Sequence, residues 1–140
     1  MTPLQQFLTL YTDLSDYSAG QLAKVYSDDV EFIDPVTTHQ GLTAVEAYFE
    51  RLLLNCQSCV FEIQSASIQG GAGHVSWIMR FQHRRLKNGK SIAVEGFSLL
   101  NFHNGKVNRQ QDYYDMGAMI YEHVPMVGPI VSALRRRLAA

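Results

Sequence analysis

Val25-Tyr26-Ser27-Asp28-Asp29-Val30-Glu31-Phe32-Ile33-Asp34-Pro35-Val36 is the stretch that decides how this chain is read. Asp28 and Asp29 interrupt a helical pattern, because aspartate side chains compete for backbone donors and favour caps and turns. Val30, Phe32 and Asp34 then alternate as in a short strand, and Pro35 keeps Asp34 out of the helical region. A carboxylate held there beside Phe32 and Ile33 loses solvation and is placed to act as a base. The same pair also reads as a solvated turn, since Asp-Pro commonly initiates one.

The segments on either side fix the fold class. Leu4, Phe7, Leu8, Leu10, Tyr11 and Leu14 recur at helical spacing, with Thr2-Pro3 as cap and first-turn proline. A short second helix is expected over 18–26. Thr43 is the expected cap of a third helix, whose apolar face carries Val45, Tyr48, Phe49, Leu52 and Leu53. After Cys59 the period changes to two, with candidate strands over 60–68, 74–86, 91–103 and 107–116. Gly70-Gly71, Asn88-Gly89 and Asn104-Gly105 mark the turns. Helices first and a meander second predict an α+β domain spanning 1–140, its N-terminal helices packed on a strongly curved antiparallel sheet around a pocket.

Alternation does not say which sheet face is interior. Gly96, Ser98, Leu100 and Phe102 share one side of a strand. Trp77, Met79, Phe81 and His83 oppose Ile78, Arg80 and Gln82 on another, and both sets contain apolar groups. A sheet covered by helices on one side and a second subunit on the other would look like this, so a homodimer is expected.

Composition narrows the function classes. The chain has 140 residues and a formal net charge of −1, which suits one domain and provides no field for nucleic acid. No apolar run approaches the roughly 20 residues of a membrane span, and no secretory signal is evident, so a cytoplasmic protein is expected. Cys56-Gln-Ser-Cys59 has redox-motif spacing but follows a helix, and no second Cys/His pair completes a zinc site. His74, His83, His103 and His123 have no metal-binding spacing, and no glycine-rich phosphate loop is present; neither metal nor cofactor is expected.

The segment from Tyr26 to Phe49 resembles the signature of the nuclear-transport-factor-2-like superfamily: an Asp-Asp break, an Asp-Pro, a loop to Gly41 and an amphipathic helix. The resemblance extends over nearly the whole chain and implies a cone-shaped fold with a ligand pocket. Asp34-Pro35-Val36 is similar to the proton-shuttling Asp-Pro-Val of ketosteroid isomerases, which implies Asp34 as base and Tyr11 as the donor to a developing enolate oxygen. The second donor of that family falls at Ser98. The stretch Asp112-Tyr113-Tyr114-Asp115-Met116 is similar to limonene-epoxide hydrolases, which implies an inward Arg80–Asp112 pair, with Gln82 where that family has an acid. SnoaL-type cyclases also place an acidic residue near this last strand.

The expected activity is cofactor-independent acid–base chemistry, of isomerase or cyclase type, on a small and largely apolar molecule. Asp34, Tyr11, Asp112 and Arg80 are the expected catalytic residues, with Tyr26, Phe49, Ser98, Phe102, Tyr114 and His39 around the ligand. The alternatives are a non-catalytic ligand-binding or dimeric interaction module and an epoxide-hydrolase-like hydrolase. The segment 125–140 reads as an amphipathic helix with Val127, Ile130, Val131, Leu134 and Leu138 in a stripe flanked by Arg135, Arg136 and Arg137. Docking on the body or a partner subunit is the expectation for it, and lipid-surface contact is the alternative.

Overall fold

Capping boxes start the first two helices. In the computed structural model, which describes residues 1–12, 14, 18–54, 56–83, 89–115 and 127–139, Gln5 N–H donates to Thr2 Oγ1 and Thr2 N–H to Gln5 Oε1, at 3.1 and 2.9 Å. These reciprocal bonds satisfy donors that helix α1 (Pro3–Thr12) would otherwise leave open. Ser18 N–H likewise donates to Gln21 Oε1 at the start of α2 (Ala19–Val25).

Helix α2 runs directly into strand β1 (Tyr26–Ile33). The expected Asp28-Asp29 break is therefore a strand irregularity and not a turn. Both aspartates are exposed, and the register of β1 against its neighbour slips between Tyr26 and Glu31. Water solvates the two carboxylates, so the backbone can stay extended at no burial cost. The loop expected after Pro35 contains a further strand, β2 (Thr38–Gln40), which pairs back on β1 as a hairpin. Gly41, at φ 89°, turns the chain into α3 (Leu42–Leu54) and accepts Val45 N–H, which displaces Thr43 from the expected cap into the first turn.

The remaining strands are β3 (Cys56–Gln69), β4 (Ala72–His83), β5 (Ser91–His103) and β6 (Lys106–Tyr114). They form one curved, unclosed sheet in the order β2-β1-β6-β5-β4-β3, antiparallel except where β1 runs parallel to β6. The Asn104-Gly105 turn has positive φ at both residues, 51° and 78°, as a tight hairpin between right-twisted strands requires. Asn88 of the second expected turn lies outside the described residues.

Burial assigns the sheet faces. Val75, Trp77, Met79 and Phe81 of β4, with Ile92, Val94 and Leu100 of β5, join Phe7, Tyr11, Leu22, Val45 and Phe49 of the helices in one core. The Trp77, Met79 and Phe81 row is thus interior, not an outer patch. The outer face carries Val60, Leu99 and Tyr113, each between 41 and 48 % exposed.

Parity overturns the expected Arg80–Asp112 pair. Arg80 belongs to the outer row of β4, opposite Ala93 of β5, and its guanidinium pairs with Glu62 of β3 at 3.1 Å. Asp112 points inward from β6 opposite Ser98. The sheet itself separates the two groups.

Helix α4 (Val127–Ala139) leaves Ile130, Leu134 and Leu138 of its apolar stripe exposed, with Val131 half-buried. Arg135 pairs with Asp115 just beyond β6. No described helix is long and apolar enough to cross a membrane.

Two substitutions test this arrangement. Arg80→Ala, removing one half of a solvent-exposed pair, should cost about 1 kcal/mol or less in denaturant unfolding. Gly96→Ala should cost more, about 1–3 kcal/mol or beyond, because a methyl there would occupy the space of the Trp77 ring, which lies over Gly96. Equal effects would contradict the assignment of faces.

Candidate active site

The inward row of the last strand is polar where a core strand would be apolar. A bulge between Val107 and Arg109, opposite Asn101 and Phe102, resets the alternation of β6. Val107 stays inward, and beyond the bulge Gln110, Asp112 and Tyr114 follow it, paired with Leu100, Ser98 and Gly96. Gln110 is fully buried. Its amide can be satisfied only by other interior polar groups, and α1, β1 and β6 itself supply them.

Those groups form one hydrogen-bonded network. Tyr26 donates its hydroxyl proton to Gln110 Oε1 at 2.6 Å. The Tyr11 and Tyr26 hydroxyls are 2.8 Å apart, and because the Tyr26 proton is used on Gln110, Tyr11 is the donor between them. Gln110 Nε2 donates to Tyr11 Oη at 3.1 Å and to Asp112 Oδ1 at 2.9 Å. From the other side, Trp77 Nε1–H donates to Ser98 Oγ at 3.0 Å, and Ser98 donates onward to Asp112 Oδ1 at 2.6 Å. The carboxylate forces the orientation of the amide, since an ionised Oδ1 accepts from Nε2 and repels Oε1.

Both donors end on Oδ1 of Asp112; among the described residues none reaches Oδ2. Asp112 also lines an interior cavity with Tyr11, Tyr48, Phe61, Trp77 and Tyr114, closed further by Leu14, Phe32, Phe49, Leu52 and Met79. The space open to the centre of a water molecule there is about 20 Å³, enough for one water. Burial raises the Asp112 carboxyl from 3.8 to about 6, against the lowering effect of the Ser98 and Gln110 hydrogen bonds, and the nearby Asp34 charge adds to the rise. Burial likewise pushes the hydroxyls of Tyr11, Tyr48 and Tyr114 well up, so all three remain neutral.

Asp34 is buried beside this cavity but is not one of its lining residues. Its Oδ1 accepts the backbone N–H groups of Val36 and Thr37 at 2.8 and 2.9 Å, closing the turn that Pro35 begins. Oδ2 faces His39 Nε2 at 3.6 Å, too long for a hydrogen bond, and that buried nitrogen has no hydrogen-bond partner among the described residues. The His39 ring stacks on Tyr48 at 4.3 Å, which places the Asp34–His39 pair behind the Tyr48 wall.

Among the expected ligand-contacting residues, Phe49 and Tyr114 line the cavity. Tyr26 and Ser98 are fully buried network members behind it, His39 sits behind Tyr48, and Phe102 lies against Gly73. Arg80 is on the opposite face of the sheet. Sequence reading missed Gln110, the hub of the network, and the part played by Trp77. The signal for Gln110 was the run Gln110-Gln111-Asp112, in which one of two alternating faces had to carry polar groups inward whichever register held.

Among the described residues no group of three His, Cys, Asp or Glu side chains is placed to hold a metal ion. The two thiols are ordinary: Cys56 donates to the Leu52 carbonyl and Cys59 is buried, its thiol pushed up to about 12.

The fold has many relatives of low sequence identity. A protein from Catenulispora acidiphila with a ketosteroid-isomerase-like fold, solved in complex with trimethylamine, superposes with a TM-score of 0.76 at 16% identity over 89% of this chain and 96% of its own. A protein from a Jannaschia species described as a SnoaL-like polyketide cyclase gives 0.74 at 12% identity over 90% and 91%. IdmH from Streptomyces antibioticus, also described as a polyketide cyclase, gives 0.74 at 11% identity over 86% and 96%. No curated protein sequence matches this chain. Residues 7–110 match the model of the SnoaL-like domain, and with three quarters of its length inside that match, the chain belongs to the SnoaL-like domain family.

Proposed function

We propose that this protein is a cofactor-independent acid–base catalyst of cyclase or isomerase type, acting on a small and largely apolar molecule, with Asp112 as the working group. One observation carries this reading: a carboxylate lines an aromatic-walled cavity with two donors fixing its Oδ1 and, among the described residues, none on Oδ2. A carboxyl titrating near 6 is present in both forms close to neutral pH, so it can remove a proton from a carbon acid and return it elsewhere. The neutral hydroxyls of Tyr48 and Tyr114 on the cavity wall supply donors for an oxygen on which charge develops. The family membership and the polyketide-cyclase descriptions of similar structures support the same class of chemistry.

This assignment moves the base away from Asp34. Asp34 does not line the cavity, and Tyr11 gives its proton to Tyr26, so in this state neither is placed to act as the resemblance to ketosteroid isomerases implied. Asp34 keeps an electrostatic part, since its charge raises the proton affinity of Asp112. The epoxide-hydrolase relay is not assembled, because Arg80 lies outside and Gln82 is bonded to Ser58. The exposed outer-face residues Val60, Leu99 and Tyr113 support a homodimer built on that face. Sedimentation at micromolar concentration should then show dimer, and monomer alone would contradict it.

Asp112→Asn separates function from structure. The amide keeps the shape and still accepts from Ser98 and Gln110, but it cannot take a proton. Solvent deuterium exchange at the α-carbon of a panel of small enolisable ketones should fall by about 10²–10⁴-fold in the variant. Exchange at the wild-type rate in Asp112→Asn would remove Asp112 from the chemistry.

Stability should move the other way. The folded-state pKa of Asp112 is raised, so the folded protein holds this proton more tightly than the unfolded chain does. Its contribution is fully favourable below about 4 and is lost as pH rises through about 6. Above that, wild type carries the cost of a buried charge, and Asp112→Asn should be more stable by about 2–3 kcal/mol at pH 8, with the gap closing toward pH 4. A variant less stable than wild type at pH 8 would contradict the raised pKa.

A further inference from the structure

The cavity has a definite electrostatic character. Its aromatic wall comes from five elements: Tyr11 of α1, Tyr48 of α3, Phe61 of β3, Trp77 of β4 and Tyr114 of β6. Among the described lining residues there is no lysine, arginine or histidine, and the single ionisable acid is Asp112. The second nearby carboxylate, Asp34, adds negative potential from behind Tyr48, where it faces His39. The arginines of the adjoining strands are engaged outside, Arg80 with Glu62 and Arg109 with Glu31.

A carboxylate buried without a countercharge is costly, and the cost is relieved by protonation or by a cation. Aromatic rings add to the second route, since each presents a negative face to an approaching cation. The open space, about 20 Å³, holds one small polar head group at a time. Because no donor among the described residues reaches Oδ2, the head group that completes the site brings a donor of its own, and a cationic N–H also supplies the missing countercharge.

We propose that the cavity recognises the primary ammonium group of an amine, donating an N–H to Asp112 Oδ2 among the rings of Tyr48, Trp77 and Tyr114, with the apolar remainder of the molecule leaving past the half-buried Leu52. The inference rests on Asp112 being the working group of the cavity, as proposed above, and specifies which ligands that group prefers. A cation favours the ionised carboxylate and expels its proton. A neutral carbonyl compound needs the protonated acid and draws a proton in. A carboxylate ligand meets only like charge.

Isothermal titration of the full chain near pH 6, in two buffers of different ionisation enthalpy, reads binding and proton exchange together. The probes are n-butylammonium, n-butanol, butyrate and 2-butanone, against wild type and Asp112→Asn. Butylammonium should bind wild type at least tenfold more tightly than butanol or butyrate, with release of roughly half a proton for a group titrating near 6. Binding to Asp112→Asn should weaken at least tenfold. Because that variant is expected to be the more stable one at neutral pH, loss of binding cannot be assigned to unfolding, and its thermal transition provides the control.

Butanol or butyrate binding as tightly as butylammonium, or an Asp112→Asn variant that binds the amine undiminished, would overturn the proposal. Preferential binding of 2-butanone with proton uptake would also overturn it while leaving the acid–base reading intact. Amine binding that depends on Asp112, in a protein whose deuterium exchange does not, would support the amine site and refute the catalytic one.

Discussion

The convergence of donors on one oxygen of Asp112 organises the interior of this molecule. Trp77 holds Ser98, Ser98 holds the carboxylate, and Gln110 holds it from the other side while binding Tyr11 and Tyr26. Tyr11, Tyr26, Trp77, Ser98 and Gln110 are buried where water cannot replace a lost partner, so each bond constrains the next. The network joins α1, the α2–β1 junction and three strands. The same bonds that fix the strand register therefore also fix the direction in which Oδ2 points.

Two backbone features make the convergence possible. The bulge near Asn108 shifts the inward row of β6, so that Gln110 and Asp112 face the core in place of Arg109 and Gln111. Gly96, with no side chain, lets the Trp77 indole lie against β5 and reach Ser98. An alanine at Gly96 would push the ring away and leave the serine hydroxyl short of a donor. Function and fold thus share a small set of residues. A buried carboxylate raised in pKa costs stability at neutral pH, which is typical of a group kept for its chemistry.

The α+β class, the core faces of the first and third helices and the Asn104-Gly105 hairpin were legible in sequence, because periodicity and turn chemistry are local. The site was legible in residue type more than in placement. Asp112, Tyr11 and Tyr114 were singled out and do meet, but strict alternation from Val107 would send Asp112 to the outside. A one-residue bulge, invisible to pattern reading, reverses that. Asp34 was correctly read as set by its proline, yet the turn it closes consumes one carboxylate oxygen, which depends on the hairpin formed by the three-residue strand β2. Arg80 was misplaced because both faces of β4 carry apolar groups, and only the helices decide which face is covered.

The site depends on a balance in which burial outweighs two hydrogen bonds and raises the Asp112 carboxyl to about 6. Its most direct measurement is the titration of the Asp112 carboxyl carbon by NMR, assigned through the signal missing in Asp112→Asn. A midpoint of about 6 is expected. A midpoint at or below the ordinary value near 3.8 would contradict it, because the donors to Oδ1 would then be winning and the cavity would face a permanent anion with no proton to transfer.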